Sequence, residues 1–154
     1  MKIIFCDVDG VLNSNNYIIS LNGTFNCVEK YKQLDSEAVA RLNKITDATS
    51  ARIVVSSTWR IYYKRMVDLR ACFGAAGITG KVIDRTPIDN NIRGVQIESW
   101  LKKSAKPIDS FIILDDDSDM GNLKENLIKT SHAEGLQDIH VGLAIELLNN
   151  GKRW

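Results

Sequence analysis

Two aspartates, Asp7 and Asp9, stand one residue apart where the apolar run "KIIF" gives way to "CDVDGVLN". Carboxylates so spaced can divide a reaction between them, one attacking an electrophile while the other moves a proton. Further along, "RIVVSS" ends in the hydroxyls of Ser56 and Ser57, and "SFIIL" runs into "DDDSD", which carries Asp115, Asp116, Asp117 and Asp119. Acids that converge without compensation repel one another strongly in a partly desolvated site. A divalent cation relieves that repulsion, and an all-oxygen donor set favours Mg²⁺. Asp68 and Asp89, each isolated, read instead as solvated loop charges.

These groups meet only if the chain delivers three strand ends to one edge. The apolar, partly β-branched runs "KIIF", "RIVV", "KVID", "SFIIL" and "NLIKT" predict five strands. Helical spacing separates them. Leu34, Ala38, Leu42 and Ile45 repeat on one helix face behind Asp35 as N-cap, and "IYYKRMVDLRACFGAAGI" is periodic up to its glycines. "VQIESWLKKSA" places Val95, Ile97, Trp100 and Leu101 on one side, and "DIHVGLAIELLNN" makes a last helix with Asp138 as cap and Gly151 at its end. Alternating strands and helices imply an α/β fold: a parallel sheet with helices on both faces, joined by right-handed crossovers. Ligands then gather at the carboxyl ends of the strands. One segment has another character. In "NSNNYIISLNGTFNCVEKY" an Asn-Gly pair lies between "YIIS" and "TFNCV", the pattern of a β-hairpin or flap.

Composition narrows the class. A chain of 154 residues holds one domain, 1–154, with a substantial core. Its 44% hydrophobic and 25% charged residues exclude disordered and fibrous classes. No apolar run approaches the roughly 20 residues of a membrane span, and Asp7 arrives too early for a signal-peptide core, so the expected location is cytoplasmic, with no membrane partner. Cys6, Cys27 and Cys72 lack any C-x-x-C spacing and read as small buried thiols rather than a disulfide or zinc site. The net charge of +1 argues against sequence-independent nucleic-acid binding over the whole surface. Arg60, Lys64 and Arg65 form a local basic cluster, whereas Lys102, Lys103 and Lys106 complement a helix C-terminus.

The order of these motifs resembles the haloacid dehalogenase (HAD) superfamily, most of whose members are phosphatases. "CDVDGVLN" is similar to its first motif, Asp-x-Asp-Gly after an apolar strand; "VVSSTWR" to its second; and "ILDDDSDM" to its fourth. The resemblance implies a Rossmann-like, five-stranded parallel sheet of order 5-4-1-2-3. It also implies that Asp7 attacks phosphorus to form an aspartyl-phosphate while Asp9 protonates the leaving oxygen and later activates water. Mg²⁺ would be held by Asp7, by the main-chain carbonyl of Asp9, and by Asp115 with Asp116 or Asp119. Ser56, or Ser57 in the alternative register, would bind a phosphoryl oxygen. The third motif's cation falls on Arg93, with Arg60 and Arg85 as competitors.

Within that superfamily, "SSTWR" and "IKTSHAEGLQDIHVGLAIELL" look similar to the phosphatase-like domains of multidomain RNA-repair proteins. Trp59 reads as core or pocket wall, and His132 as a loop residue. Neither interval between the motifs has room for a large cap domain, so the site is expected to be open. Openness favours a phosphate at the end of a larger molecule, such as an RNA or DNA end or a phosphoprotein, over a fully enclosed metabolite; the leading expectation is a nucleic-acid end or nucleotide, drawn from the resemblance, with small phosphometabolites and phosphoproteins as the alternatives. An inactive binding module or a receiver-like phospho-acceptor are the non-hydrolase readings. No obligate protein partner is implied.

Overall fold

Alternation within the first strand, β1 (Lys2–Cys6), sets the two faces of the sheet. Ile3 and Phe5 enter one apolar cluster, Ile4 and Cys6 the other, and all four are fully buried. The computed structural model describes residues 1–21, 30–151 and 154. β2 (Arg52–Val55), β3 (Val82–Arg85), β4 (Ser110–Asp115) and β5 (Leu127–Lys129) complete a five-stranded sheet in the order β3-β2-β1-β4-β5. Every pairing is parallel. The expected order is therefore the observed one. β4 is buried along its whole length, as befits a strand covered on both faces.

Helices divide unequally between the faces. α2 (Ser36–Thr49), α4 (Met66–Ala75) and α6 (Asp138–Asn150) pack Leu42, Ile45, Phe73 and Leu148 against one side. On the other, α5 (Arg93–Lys103) and a 3₁₀ turn at Gly121–Asn126 bring Ile97, Trp100, Leu101 and Leu123 onto Phe5 and Phe111. Phe5 meets Trp100 and Phe111 edge to face, with ring centroids 5.3 and 5.8 Å apart. Full burial of side chains of this size is worth about 1.5–3 kcal/mol each. No helix among the described residues is long and apolar enough to cross a membrane.

Several local expectations are corrected. Tyr17–Ser20, read as the first arm of a hairpin, lies in α1 (Asn15–Ser20). Ser14 caps that helix, its hydroxyl accepting the Tyr17 N–H at 3.1 Å, and its first residues are tied to a distant loop, so the β-branched run is overridden. The second arm, "TFNCV", and with it Cys27, lies outside the described residues. The long periodic segment after β2 is two helices, α3 (Trp59–Tyr62) and α4. Arg85 holds the break between them by donating to the carbonyls of Arg60, Tyr63 and Lys64. Val95 is 41% exposed, so the apolar side of α5 is narrower than its sequence suggests. Asp138 is the first residue of α6, not its cap. Gln137 takes that place, donating its N–H to His140 Nδ1 at 2.9 Å. Asp35 caps α2 as expected, accepting the Glu37 N–H.

Candidate active site

The sheet register brings the strand ends together. Cys6 pairs with Leu114 on one side and Val55 on the other, so Asp7, Asp115 and Ser56 emerge side by side. The ladder continues past the strands: Asp7 N–H donates to the Leu114 carbonyl and Ser56 N–H to the Cys6 carbonyl, both at 2.9 Å. Asp7, Asp115 and Asp116 each place a carboxylate oxygen within 4.8 Å of the other two. The first two are buried and the third is half-buried.

Arg93, at the start of α5, lies across this group. Its Nη2 donates to Asp7 Oδ2 at 2.8 Å, its Nε is 3.3 Å from Asp115 Oδ2, and its Nη1 donates to the Ser56 carbonyl. Asp7 Oδ1 accepts the Val8 N–H at 2.6 Å, and the Ser57 hydroxyl also bonds its carboxylate. Burial still prevails: it raises the Asp7 carboxyl above the ordinary aspartate range against the pull of Arg93. Asp115 is pushed up to about 7, first by burial and then by the Asp7 charge. Its Oδ1 accepts the Asp117 N–H, while its buried Oδ2 has no hydrogen bond.

Two glycines make the approach possible. Gly10 has φ +73°, and a Cβ there would stand 2.4 Å from Asp116 Cγ, so only glycine lets the acid lie over the first loop. At Gly94 a Cβ would meet the Met120 carbonyl oxygen at 2.4 Å. That close contact seats the first turn of α5 against the loop after β4. Asp119 completes the attachment: its Oδ2 accepts the Arg93 N–H at 2.9 Å and its carbonyl the Gly94 N–H at 3.1 Å. Asp119 thus stands at the helix start, outside the group formed by Asp7, Asp115 and Asp116.

The other expected residues divide: Ser57 reaches Asp7, whereas the Ser56 hydroxyl, Arg60 and Arg85 are engaged elsewhere. Of the two serines, Ser57 faces Asp7, whereas Ser56 Oγ meets Thr86 Oγ1 in the interior at 3.4 Å. Arg60 is only 4% exposed and serves the protein itself, donating to the carbonyls of Ser57 and Pro87 and to Gln96 Oε1. Burial lowers its pKa to about 10, with the neighbouring Arg93 charge acting the same way. Arg85 is occupied at the helix break, so of the three candidate arginines Arg93 alone touches the acids.

Asp9 lies beside the group, half-buried, with its carboxylate accepting from Asn13 Nδ2 at 3.0 Å and from Trp59 Nε1 at 3.0 and 3.2 Å. Trp59 is therefore a wall residue with a polar function. Neither Asn13 nor the approach of His132 Nδ1 to Asp116 Oδ2 at 2.8 Å is foreshadowed by the motifs. Only their nearness to the first motif and to the end of β5 marks them.

Such a site joins a buried carboxylate at a strand end, a second carboxylate on the same loop, a hydroxyl and a cation held against the acids. A divalent metal fits it: three converging carboxylates offer only oxygen, and the buried Asp115 Oδ2, though 3.3 Å from Arg93 Nε, makes no hydrogen bond. A family model described as "HAD domain in Swiss Army Knife RNA repair proteins" matches residues 3–141. No curated protein and no solved structure matches the chain.

Proposed function

The chain belongs to the HAD domain family found in Swiss Army Knife RNA repair proteins, and on that premise we propose a Mg²⁺-dependent phosphomonoesterase acting on a nucleic-acid end or nucleotide. The observation that carries the reading is Arg93 spanning Asp7 and Asp115 at the strand ends, with Asp9 two residues along the same loop.

In the first step an Asp7 carboxylate oxygen attacks phosphorus, forming an O–P bond as the bond to the leaving oxygen breaks. Asp9 gives that oxygen its proton, so the product leaves as a neutral alcohol. In the second step Asp9 takes a proton from water, whose oxygen attacks phosphorus and releases inorganic phosphate and Asp7. Arg93 offsets charge on the equatorial oxygens, and the Ser57 hydroxyl donates to one of them. Trp59 and Asn13 hold the Asp9 carboxylate in place throughout. Asp7, Asp115 and Asp116, with the Asp9 main-chain carbonyl, would hold Mg²⁺, which would supply further positive charge at the phosphoryl group.

The test is phosphate release from 3′- and 5′-phosphorylated oligonucleotides, mononucleotides, phosphopeptides and p-nitrophenyl phosphate, with Mg²⁺ or with EDTA. We expect release from nucleic-acid or nucleotide substrates, lost with EDTA and lost in Asp7→Asn. Full turnover by Asp7→Asn would overturn the mechanism, and activity confined to phosphopeptides or small metabolites would overturn the substrate class.

A further inference from the structure

Three segments form the Arg93 side of the site: the turn after β2, the loop after β3 and the first turns of α5. Sheet register does not fix them against one another, because none of them belongs to the sheet. One side chain joins all three. Arg60, in α3, donates through Nη1 to the Ser57 carbonyl and through Nη2 to the Pro87 carbonyl at 3.4 Å and to Gln96 Oε1 at 2.7 Å. Gln96 in turn donates its amide to the Asn90 carbonyl. The two arginines thus take the carbonyls of successive serines, Arg93 that of Ser56 and Arg60 that of Ser57. Gln96 stands three residues after Arg93, a neighbour on the surface of one helix. The bracket therefore reaches both the Ser57 hydroxyl, which bonds Asp7, and the Arg93 guanidinium.

The charge on this bracket is unmatched. Arg60 is buried, its partners are all carbonyl or amide oxygens, and its buried Nε makes no hydrogen bond. Among the described residues no carboxylate pairs with it. A buried cation without a counter-charge is unfavourable, and a neutral side chain of similar size would avoid that penalty. Asp117 and Asp119 border the same hollow as Arg60 and Arg93, yet the charges that act most on Arg60 are those of Arg93 and then Asp7. Its electrostatic surroundings are those of the strand-end acids.

We infer that Arg60 is a positioning residue of the phosphoryl site: its fork fixes Ser57 and, through Gln96, Arg93, and the anion taken up by the site completes its charge. Arg93 is already matched by Asp7 and Asp115, so it brings little surplus charge to an incoming phosphoryl group. Arg60 brings a whole one, held a short way behind the reacting atoms where water does not screen it fully. Fork and charge are separable. Lysine keeps the second and loses the first, and a neutral amide loses both. The inference rests on the phosphatase reading for the identity of the anion, and goes beyond it in giving a role to a side chain that touches neither the acids nor the substrate.

The experiment measures inorganic phosphate binding by calorimetry, kcat and KM for p-nitrophenyl phosphate, and melting temperature, all in Mg²⁺ buffer. Wild type is compared with Arg60→Lys, Arg60→Gln and Gln96→Leu. Arg60→Gln is expected to weaken phosphate binding about tenfold, whereas Arg60→Lys keeps it within about threefold of wild type. Both lose the fork, and kcat should fall about 30-fold in each. Gln96→Leu keeps the charge and cuts the tie to α5, so kcat should fall about tenfold with phosphate binding unchanged. If Arg60→Gln fails to fold, phosphate binding by Arg60→Lys and kcat of Gln96→Leu decide alone. Loss of packing would instead weaken binding equally in the two Arg60 variants, in step with melting temperature. That result, undiminished phosphate binding by Arg60→Gln, or an unchanged kcat in Gln96→Leu would overturn the assignment. Phosphate binding that depends on Arg60 in a protein without turnover would leave Arg60 its role and overturn the phosphatase; turnover with binding indifferent to Arg60 would do the reverse.

Discussion

The two sides of the first loop are built differently. On the Asp7 side, strand ends deliver buried carboxylates whose positions follow from sheet register, and Arg93 together with main-chain N–H groups takes up most of their oxygens. On the Asp9 side, α1, a 3₁₀ turn and the loop after β5 supply amides and an imidazole, held by a few backbone bonds and partly open to solvent. The first arrangement suits chemistry, which needs fixed charges in a dry site. The second is more open, and its Asn13 and His132 are bonded to Asp9 and Asp116 themselves. One pair of aspartates, two residues apart, faces both.

Four substitutions would break or sharpen that contrast. The largest effect belongs to Asp115→Asn, expected to lower turnover at least about 1000-fold by weakening the metal site and the charge balance at Asp7. Its effect on stability should have the opposite sign. A carboxyl raised to about 7 in the folded state and titrating near 4 in the unfolded chain makes the fold less stable as pH rises through that window. Removing it should raise the melting temperature in metal-free buffer above pH 7, by roughly 5 °C. An unchanged melting temperature would mean that the acids are not held at a cost. Arg93→Lys keeps the charge but loses the fork that reaches Asp7, Asp115 and the Ser56 carbonyl, and should cost about 100-fold in kcat/KM in a phosphatase assay.

On the other side, Trp59→Phe keeps the ring and removes the donor to both Asp9 oxygens. A fall of about tenfold in kcat with little change in KM is expected, since a hydrogen bond to a charged group is worth about 1.5–3 kcal/mol. The smallest effect is at His140, far from either side. Its ring must be unprotonated at Nδ1 to accept the Gln137 N–H, and burial lowers its pKa. That stabilisation is therefore present above the ordinary histidine range and is lost as pH falls through the lowered value. His140→Ala should cost about 1 kcal/mol near pH 7, and less in acid, by chemical denaturation at several pH values.

The same division governs what could be read from the sequence. Asp7, Asp115 and Asp116 were legible because each follows an apolar run that can only be a buried strand, and parallel strands end on one edge. Strand order and the caps at Asp35 and Gly151 belong to this local or family-borne information. Gln33 and His132 were not legible as neighbours of Asp9 and Asp116, because 24 and 16 residues of chain separate them and only tertiary contacts unite them. The misreading of "YIIS" has a related cause: its β-branched residues favour a strand, but Ser14 and the carbonyls of His132 and Ala133 satisfy a helix start there. The split between α3 and α4 came from Arg85, a residue more than 20 positions away. Ser56 and Ser57 show the limit at finest scale, since a strand pattern fixes where the chain ends but not which hydroxyl turns inward once the pleat stops.

The contact of Gly94 with the Met120 carbonyl bears on how this chain can vary over time. Because the first turn of α5 is joined to the loop after β4 at Gly94 and Asp119, adding or removing a residue near Arg93 would rotate the helix by about 100° and carry its guanidinium away from the acids. Changes in length are better absorbed at the far end, around Ser104–Lys106, where the chain leaves the helix away from the strand ends. Insertions and deletions in related chains should therefore collect at that end, and the interval from Arg93 to Trp100 should keep its length while its exposed positions drift.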